Sequence, residues 1–155
     1  MATPATIKTS YYKKIIESKR ENVKVFQQAC PEFVPEIEKT NLDLNKLNYL
    51  SDLYINPLLK ENIEEIILGC SHYPLIYNVL KNKIHSNIRI IDPSAALVNK
   101  FNNSFLIPKN DYCNCISYDN VKFFVTAKGE EFSKKVKYWL EINKEIKLVN
   151  LRSND

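Results

Sequence analysis

Glycine is scarce in this sequence, since Gly69 and Gly129 are the only two among 155 residues. Turns and helix ends must therefore use asparagine, aspartate, serine and proline. The sequence also lacks any apolar run near the ~18 residues that span a bilayer. Its first ten residues show neither the basic nor the apolar region of a signal peptide. We therefore expect no secretion, no membrane insertion and no membrane partner.

Arginine is scarce as well, with three residues against 19 lysines, and the net charge is only +4. Nucleic-acid binders usually carry a clustered field of arginine and lysine, so we expect no nucleic-acid partner. The composition is that of a globular protein, with 45% apolar and 26% charged residues. The length suits one ordinary domain and is too short for two.

Four cysteines are present, and without an export signal we expect all of them to be free thiols. Cys113 and Cys115 form a C-x-C pair, but no second ligand pair stands at zinc-site spacing. We therefore predict two ordinary thiols there and no metal site. The C-x5-R loop of cysteine phosphatases is absent too, because no arginine follows any cysteine at that spacing.

Hydrophobic periodicity predicts strands that alternate with helices along the chain. The predicted strands are residues 23–29, 64–68, 88–91, 121–126 and 146–151. The predicted helices run through residues 11–16, 33–38, 42–59, 75–80, 93–101 and 130–141, with Pro57 expected to break or kink the third. This alternation is typical of an α/β fold with a mostly parallel sheet flanked by helices.

A polar and poorly patterned stretch, residues 105–120, is the candidate loop or linker. It divides the chain into an α/β unit at residues 1–104 and a strand–helix–strand segment at residues 121–155. Ligands of parallel α/β sheets lie outside the carboxyl ends of the strands. Cys30, Cys70 and Asp92 all follow predicted strands, so this edge is the candidate site.

The turn after the strand at residues 64–68 carries the strongest chemical signal. It places Cys70 at the sheet edge and His72 two residues later, where an imidazole can share the thiol proton or stabilise the thiolate. Gly69 allows a close backbone approach. The alternative is structural, with a buried cysteine and a histidine satisfied by hydrogen bonds.

Four motifs in order resemble glutamate racemases, which belong to the cofactor-independent aspartate/glutamate racemase superfamily. LGCSHYP at residues 68–74 resembles the family signature LGCTHYP, with serine in place of threonine. The other three are ATPATIKTSYY at 2–12, which resembles ATxxTxxSxxY, ACPEFVPEIE at 29–38, which resembles ACPxFVPxxE, and IDPS at 91–94. The resemblance implies the second domain of the racemase fold, followed by a C-terminal segment that returns to the first domain.

The resemblance also implies interconversion of L- and D-glutamate without pyridoxal phosphate or metal, supplying D-glutamate for peptidoglycan in the cytoplasm of a bacterium or an organelle of bacterial descent. Two cysteines act on opposite faces of the substrate. By position, the implied catalytic residues are Cys70, His72 and Glu38, and the implied substrate-binding residues are Ser71, His72, Thr6 and Thr3. Cys30 is expected to be structural and His85 exposed.

The family's first domain, with its Asp-Ser-Gly motif, Pro-Tyr-Gly loop and second catalytic cysteine, has no counterpart in these 155 residues. The chain is therefore expected to correspond to the C-terminal part of a glutamate racemase. Apolar residues that face the first domain in the family, Phe123, Val125, Phe132 and Trp139, would lack their partner. We expect self-association or a separately encoded N-terminal half.

Three functions stay open at this stage. The first is a glutamate racemase, or half of one, in which a partner or a second copy of Cys70 completes the site. The second is a non-catalytic remnant or binding module that retains a half-site. The third is a racemase for aspartate or a related acid, which the histidine after the catalytic cysteine disfavours.

Overall fold

The structure is a computed structural model that describes residues 1–104 and 118–151, with side chains to residue 101 in the first range. The chain forms two compact units. The first is Met1–Ile37 with Asn41–Phe105, and the second is Glu38–Thr40 with Leu106–Asp155. The predicted linker at residues 105–120 lies mostly outside the described residues, so the domain limits stay predictions.

The helices of the first unit lie close to the predicted ones, except that the helix at Pro4–Thr9 has no counterpart among them. In chain order they are α1 (Pro4–Thr9), α2 (Tyr11–Lys19), α3 (Phe33–Ile37), α4 (Leu44–Leu59), α5 (Tyr77–Lys81) and α6 (Pro93–Ser104), with a 3-10 turn (Tyr73–Ile76) before α5. Thr3 and Asp43 begin α1 and α4, because their side-chain oxygens accept the free N–H groups of the first turns. Pro57 lies inside α4, which continues to Leu59.

The sheet of the first unit is parallel, as predicted. Strand β1 (Glu65–Ile67) pairs with β2 (Arg89–Ile91), with Glu65 opposite Arg89. On its other side, Ala2 forms parallel bridges to both Gly69 and Ala29. The order across the sheet is therefore the segment ending at Ala29, then Met1 and Ala2, then β1, then β2.

The strand predicted at residues 23–29 is wrong, since only Ala29 of that segment is bridged. The segment has the composition of a strand, but among the described residues only Ala2 pairs with it, through bonds from Ala2 N–H to the Gln28 carbonyl and from Cys30 N–H to the Ala2 carbonyl. The Val25 N–H turns instead to the Glu17 carboxylate at 3.0 Å. A strand needs a partner along its length, and the part of the chain that the structure describes pairs with this segment at Ala29 alone.

The core of the first unit lies between α3, α4 and the 3-10 turn. The Phe33 ring packs edge-on against Tyr54 at 5.1 Å and Tyr73 at 5.3 Å between centroids. Ile37, Leu50 and other apolar residues of these elements are fully buried around them. This packing fixes the segment after Cys30 against the turn that carries His72.

The second unit contains β3 (Phe123–Val125), α7 (Gly129–Leu140) and β4 (Ile146–Leu148), close to the predicted strand–helix–strand. The two strands are parallel, with Phe123 opposite Ile146. Val136 of α7 is buried, and the Phe132 ring lies 6.1 Å from that of Phe123.

Across the described residues of both units, no helix is long and apolar enough to cross a membrane.

Candidate active site

Three chain segments reach the same edge of the parallel sheet. Because Ala2 is paired with both Ala29 and Gly69, the residues that follow each of them are neighbours at the carboxyl edge. Those residues are Thr3, Cys30 and Cys70, and adjacent parallel strands lie about 4.8 Å apart. Asp92, directly after β2, stands at the same edge. The structure thus brings a thiol, a hydroxyl and a carboxylate to one place.

Gly69 is what allows the chain at Met1 and Ala2 to approach the end of β1. A Cβ at residue 69 would lie 3.0 Å from the Ala2 Cβ and 3.1 Å from the Met1 carbonyl oxygen. Both distances are tighter than ordinary van der Waals contact. The Gly69 N–H also donates to the Met1 carbonyl at 2.8 Å. Glycine at this position therefore holds Thr3 beside Cys70.

The Cys70 thiol and the His72 imidazole are the reactive pair at this edge. Their Sγ and Nδ1 atoms lie 3.8 Å apart, and both side chains are partly buried. The pair is set by a tight turn, in which Tyr73 N–H donates to the Cys70 carbonyl and Leu75 N–H to the His72 carbonyl. At this distance a proton can pass between sulfur and imidazole without movement of the backbone.

Hydroxyl groups stand next to this pair. The Thr3 and Thr6 Oγ1 atoms are 3.1 Å apart at the start of α1, and Thr3 also accepts the Thr6 N–H. Ser71 lies exposed in the turn between Cys70 and His72. Each hydroxyl has donor and acceptor capacity that suits an amino-acid carboxylate.

Cys30 has a different environment from Cys70, although it follows a neighbouring strand. Its side chain is 1% exposed, and burial raises the pKa of the thiol to about 12. The Tyr73 hydroxyl donates to the Cys30 carbonyl at 3.3 Å, and burial raises the pKa of Tyr73 as well. Cys30 therefore stays protonated near neutral pH, in keeping with the packing role expected for it.

Glu38 belongs to the second unit. There its carboxylate accepts a hydrogen bond from the Lys135 ammonium at 2.8 Å. Lys135 also pairs with Glu131 at 3.1 Å, and these carboxylates raise its pKa. The predicted catalytic role of Glu38 stays a prediction.

Comparison with known proteins identifies relatives of this chain. The glutamate racemase of Prochlorococcus marinus (strain NATL1A) is 38% identical over 154 residues, which are 98% of this chain and 57% of that protein. The chain is homologous to the C-terminal part of glutamate racemases. It spans little more than half the length of such relatives. No protein-family model matches it.

Solved glutamate racemases share the fold. An isoform from Bacillus anthracis superposes with a TM-score of 0.77 at 25% identity, covering 97% of this chain and 56% of the other. The Francisella tularensis enzyme, solved in complex with D-glutamate, gives 0.74 at 28% identity with the same coverage. The predicted α/β fold with a mostly parallel sheet is therefore confirmed, and its strands are short.

One supporting residue of this edge, Tyr73, is absent from the predicted site residues. Tyr73 belongs to the LGCSHYP motif, and it is fully buried with its hydroxyl donating to the Cys30 carbonyl. Asp92 caps α6, because its carboxylate accepts Ser94 N–H at 2.9 Å and Ser94 Oγ–H at 2.6 Å. The Asp-Pro-Ser order is a helix-start signal, in agreement with the helix predicted from residue 93. His85 is exposed as expected, and Cys113 and Cys115 lie outside the described residues.

Proposed function

We propose that this chain supplies one half of an active site that racemises glutamate, with Cys70 as the acid–base group on one face of the α-carbon. The observation that carries the proposal is the Cys70–His72 pair, 3.8 Å apart at the carboxyl edge of a parallel sheet. Two further facts support it: the homology to glutamate racemases, and the solved relative that holds D-glutamate.

The chemistry requires a tuned thiol, since the α-proton of an amino acid is very weakly acidic. His72 accepts the Cys70 proton or stabilises the thiolate, which then removes the α-proton of bound glutamate. The proposed mechanism uses neither pyridoxal phosphate nor a metal. The negative charge that develops next to the α-carboxylate must be met by hydrogen bonds that strengthen in the transition state.

Hydroxyl groups around the pair are proposed to hold the substrate. Thr3 and Thr6 share one hydrogen bond at 3.1 Å, which uses the proton of one hydroxyl, so the other hydroxyl can donate its proton to a carboxylate oxygen. Ser71 offers an exposed hydroxyl directly between the two reactive residues. Glu38, the remaining residue implied by the resemblance, is proposed as an active-site carboxylate, although in this structure it pairs with Lys135.

Inversion needs a second acid–base group, because a single thiol returns a proton only to the face it came from. Cys30 is unsuited to this task, since it is buried and burial raises its pKa to about 12. We propose that the second group comes from another polypeptide, either a second copy of this chain or a separate N-terminal half. The complete site would supply D-glutamate for peptidoglycan in the cytoplasm.

The test is proton NMR of L-glutamate, D-glutamate and L-aspartate in D2O with the purified chain. Loss of the α-proton signal from one enantiomer of glutamate only, abolished in Cys70→Ala, is the expected result for a half-site. Cys30→Ala is the matched control, and it should retain the exchange if it remains folded.

Three other outcomes have definite meanings. Exchange of both enantiomers with inversion would show that copies of the chain complete the site together. Exchange of aspartate in preference to glutamate would change the substrate. No exchange, or exchange that survives Cys70→Ala, would contradict the half-site and favour a non-catalytic remnant.

A further inference from the structure

Tyr73 is a buried phenol that directly follows His72 in the turn of the reactive pair. Its side chain is fully buried, and its hydroxyl donates to the Cys30 carbonyl at 3.3 Å. Burying a hydroxyl removes its hydrogen bonds to water, a cost that phenylalanine would avoid while filling nearly the same space. The position of the hydroxyl, and not only the burial of the ring, therefore calls for an explanation.

The backbone of Tyr73 closes the turn that carries the pair. Its N–H donates to the Cys70 carbonyl at 3.2 Å, and the 3-10 turn Tyr73–Ile76 begins there, directly after His72. Side chains three residues apart in a 3-10 helix lie on the same face. Tyr73 and Ile76 are both buried, so this face anchors the turn in the core. Cys70 and His72 are attached to that anchor through Tyr73.

The group that receives the Tyr73 hydroxyl is itself held in place. The Cys30 N–H donates to the Ala2 carbonyl at 2.9 Å, which fixes Cys30 at the edge of the sheet. The Phe33 ring packs edge-on against the Tyr73 ring at 5.3 Å between centroids. Apolar packing has no directional preference, whereas a hydrogen bond has one. The bond to Cys30 therefore fixes the orientation of the turn in a way that ring packing does not.

Tyr73 is unsuited to proton transfer with substrate. Burial raises its pKa, and negative charge on the nearby Cys30 or Cys70 sulfur would raise it further. The phenol thus stays protonated near neutral pH, and it donates its proton to the Cys30 carbonyl. Any effect of the hydroxyl on the reaction must therefore pass through the position of the Cys70–His72 pair.

We propose that Tyr73 is a positioning residue, whose hydroxyl keeps Cys70 Sγ and His72 Nδ1 within reach of each other by tying their turn to the Cys30 carbonyl. This inference rests on the proposed function, in which Cys70 and His72 are the reactive pair. The two atoms lie 3.8 Å apart, which leaves little room for further separation. Misplacement by about 1 Å can cost on the order of a hundredfold in rate.

Tyr54 provides a matched control. It lies on the other side of the Phe33 ring, at 5.1 Å between centroids, and it is also buried. Its hydroxyl accepts the Glu32 N–H at 3.4 Å, so it contacts the same segment as Tyr73 does. Tyr54 belongs to α4, however, and not to the turn. Tyr54→Phe therefore removes a comparable hydroxyl without a direct link to the reactive pair.

The experiment measures alkylation of Cys70 by iodoacetamide at pH 7.5, with mass spectrometry of peptides to separate Cys70 from the other cysteines. The thiolate is the form that reacts, so the rate reports how well His72 supports it. Tyr73→Phe should slow alkylation at least about threefold, and Tyr54→Phe should change it by less than about 1.5-fold. In a His72→Asn background, Tyr73→Phe should also change the rate by less than about 1.5-fold, because its effect passes through the imidazole.

Three results would overturn the proposal. They are an unchanged or faster rate in Tyr73→Phe, an equal slowing in Tyr54→Phe, and a slowing by Tyr73→Phe that persists in the His72→Asn background. Either of the last two would assign the Tyr73 hydroxyl a merely structural role.

A measurement on the native chain covers the case in which Tyr73→Phe does not fold. The Tyr73 amide should exchange with D2O at least about a hundredfold more slowly than in an unstructured peptide, since its turn is fixed. Fast exchange at this amide would contradict the proposal. Neither alkylation nor amide exchange requires glutamate, so these tests and the test of the proposed function fail separately.

Discussion

The two compact units differ in how they bury their apolar residues. In the described chain, every buried hydrophobic residue except Val136 belongs to the first unit, where Phe33, Tyr54 and Tyr73 form an aromatic cluster. In the second unit, Phe124 is 55% exposed and Leu148 is 68% exposed. The first unit has the burial expected of an independent core, and the second does not.

This difference accounts for the position of the Cys70–His72 pair in the first unit. A rigid core beneath Cys30 and Tyr73 lets a short turn hold Cys70 and His72 at a fixed distance. Ion pairs, such as Lys135 with Glu38 and Glu131, are instead the prominent contacts of the second unit. Partly exposed ion pairs contribute little stability, so the second unit is the weaker of the two.

Phe33→Ala is expected to have the largest effect on stability, and it tests the contrast in burial between the two units. Removing a fully buried ring at the centre of the aromatic cluster should lower the free energy of unfolding of the first unit by about 3–5 kcal/mol. Phe132→Ala, at a side chain that is 36% exposed, should cost under about 1.5 kcal/mol. Urea unfolding followed by far-UV circular dichroism measures both.

The single tryptophan, Trp139, lies in α7 and reports on the second unit. In Phe33→Ala its fluorescence midpoint should shift less than the circular dichroism midpoint. Equal shifts of both midpoints, or an equal cost of the two phenylalanine substitutions, would contradict the contrast between the units.

The next largest effect on stability is expected from replacing glycine by alanine, and it can be compared between the two units because each contains one glycine. Gly69→Ala forces a Cβ to 3.0 Å from the Ala2 Cβ, so the strand at Met1 and Ala2 must shift, at a cost of about 1–3 kcal/mol. Gly129→Ala meets only Val125 Cγ2 at 3.9 Å and should change stability by under about 1 kcal/mol. Thermal melting of both variants checks this, and a Gly69→Ala protein that melts like the native chain would contradict the close approach.

The sequence predicted the elements of the first unit because its helices and strands carry their own signals. The helix predicted over residues 42–59 and the strand predicted before Gly69 are examples, since α4 and β1 lie there, whereas α1 after Thr3 was not predicted. The strand prediction for residues 23–29 failed because a strand is defined by its partner, and composition does not reveal whether a partner is present.

At the candidate site, long-range contacts are the part that the sequence could not predict. The motif around Cys70 and His72 is local, so their proximity follows from the turn alone. The pairing of Glu38 with Lys135 joins residues 97 positions apart, and no local pattern shows it. Likewise, the burial of Cys30 depends on Tyr73, which arrives from a distant turn.

A smaller effect is expected from pH, through the buried thiol of the first unit. Burial raises the Cys30 pKa from about 9 to about 12, so the folded chain keeps a proton that the unfolded chain loses between these values. This contribution to stability is complete below pH 9 and declines as the pH rises, by up to about 1.4 kcal/mol per unit. The stability difference between the native chain and Cys30→Ala should therefore narrow above pH 9.

Urea unfolding at several pH values measures that narrowing. Leu50→Ala is the control, since it removes buried surface without an ionisable group and should give a constant difference at every pH. A constant difference for Cys30→Ala as well would show that the thiol ionises in the folded chain as readily as in the unfolded one.

The smallest effect on stability is expected at the ion pair of the second unit, and it also tests the proposed role of Glu38. Replacing Lys135 by methionine removes a partly exposed pair and should cost no more than about 1 kcal/mol by urea unfolding. Because Lys135 is not among the residues proposed to act on substrate and contacts Glu38 and Glu131 within the second unit, Lys135→Met should leave α-proton exchange of glutamate within about twofold. Glu38→Gln, which keeps the shape but not the charge, should lower that exchange at least about tenfold if Glu38 acts on substrate. Equal, small effects of the two substitutions on exchange would instead assign Glu38 a structural role alongside Lys135.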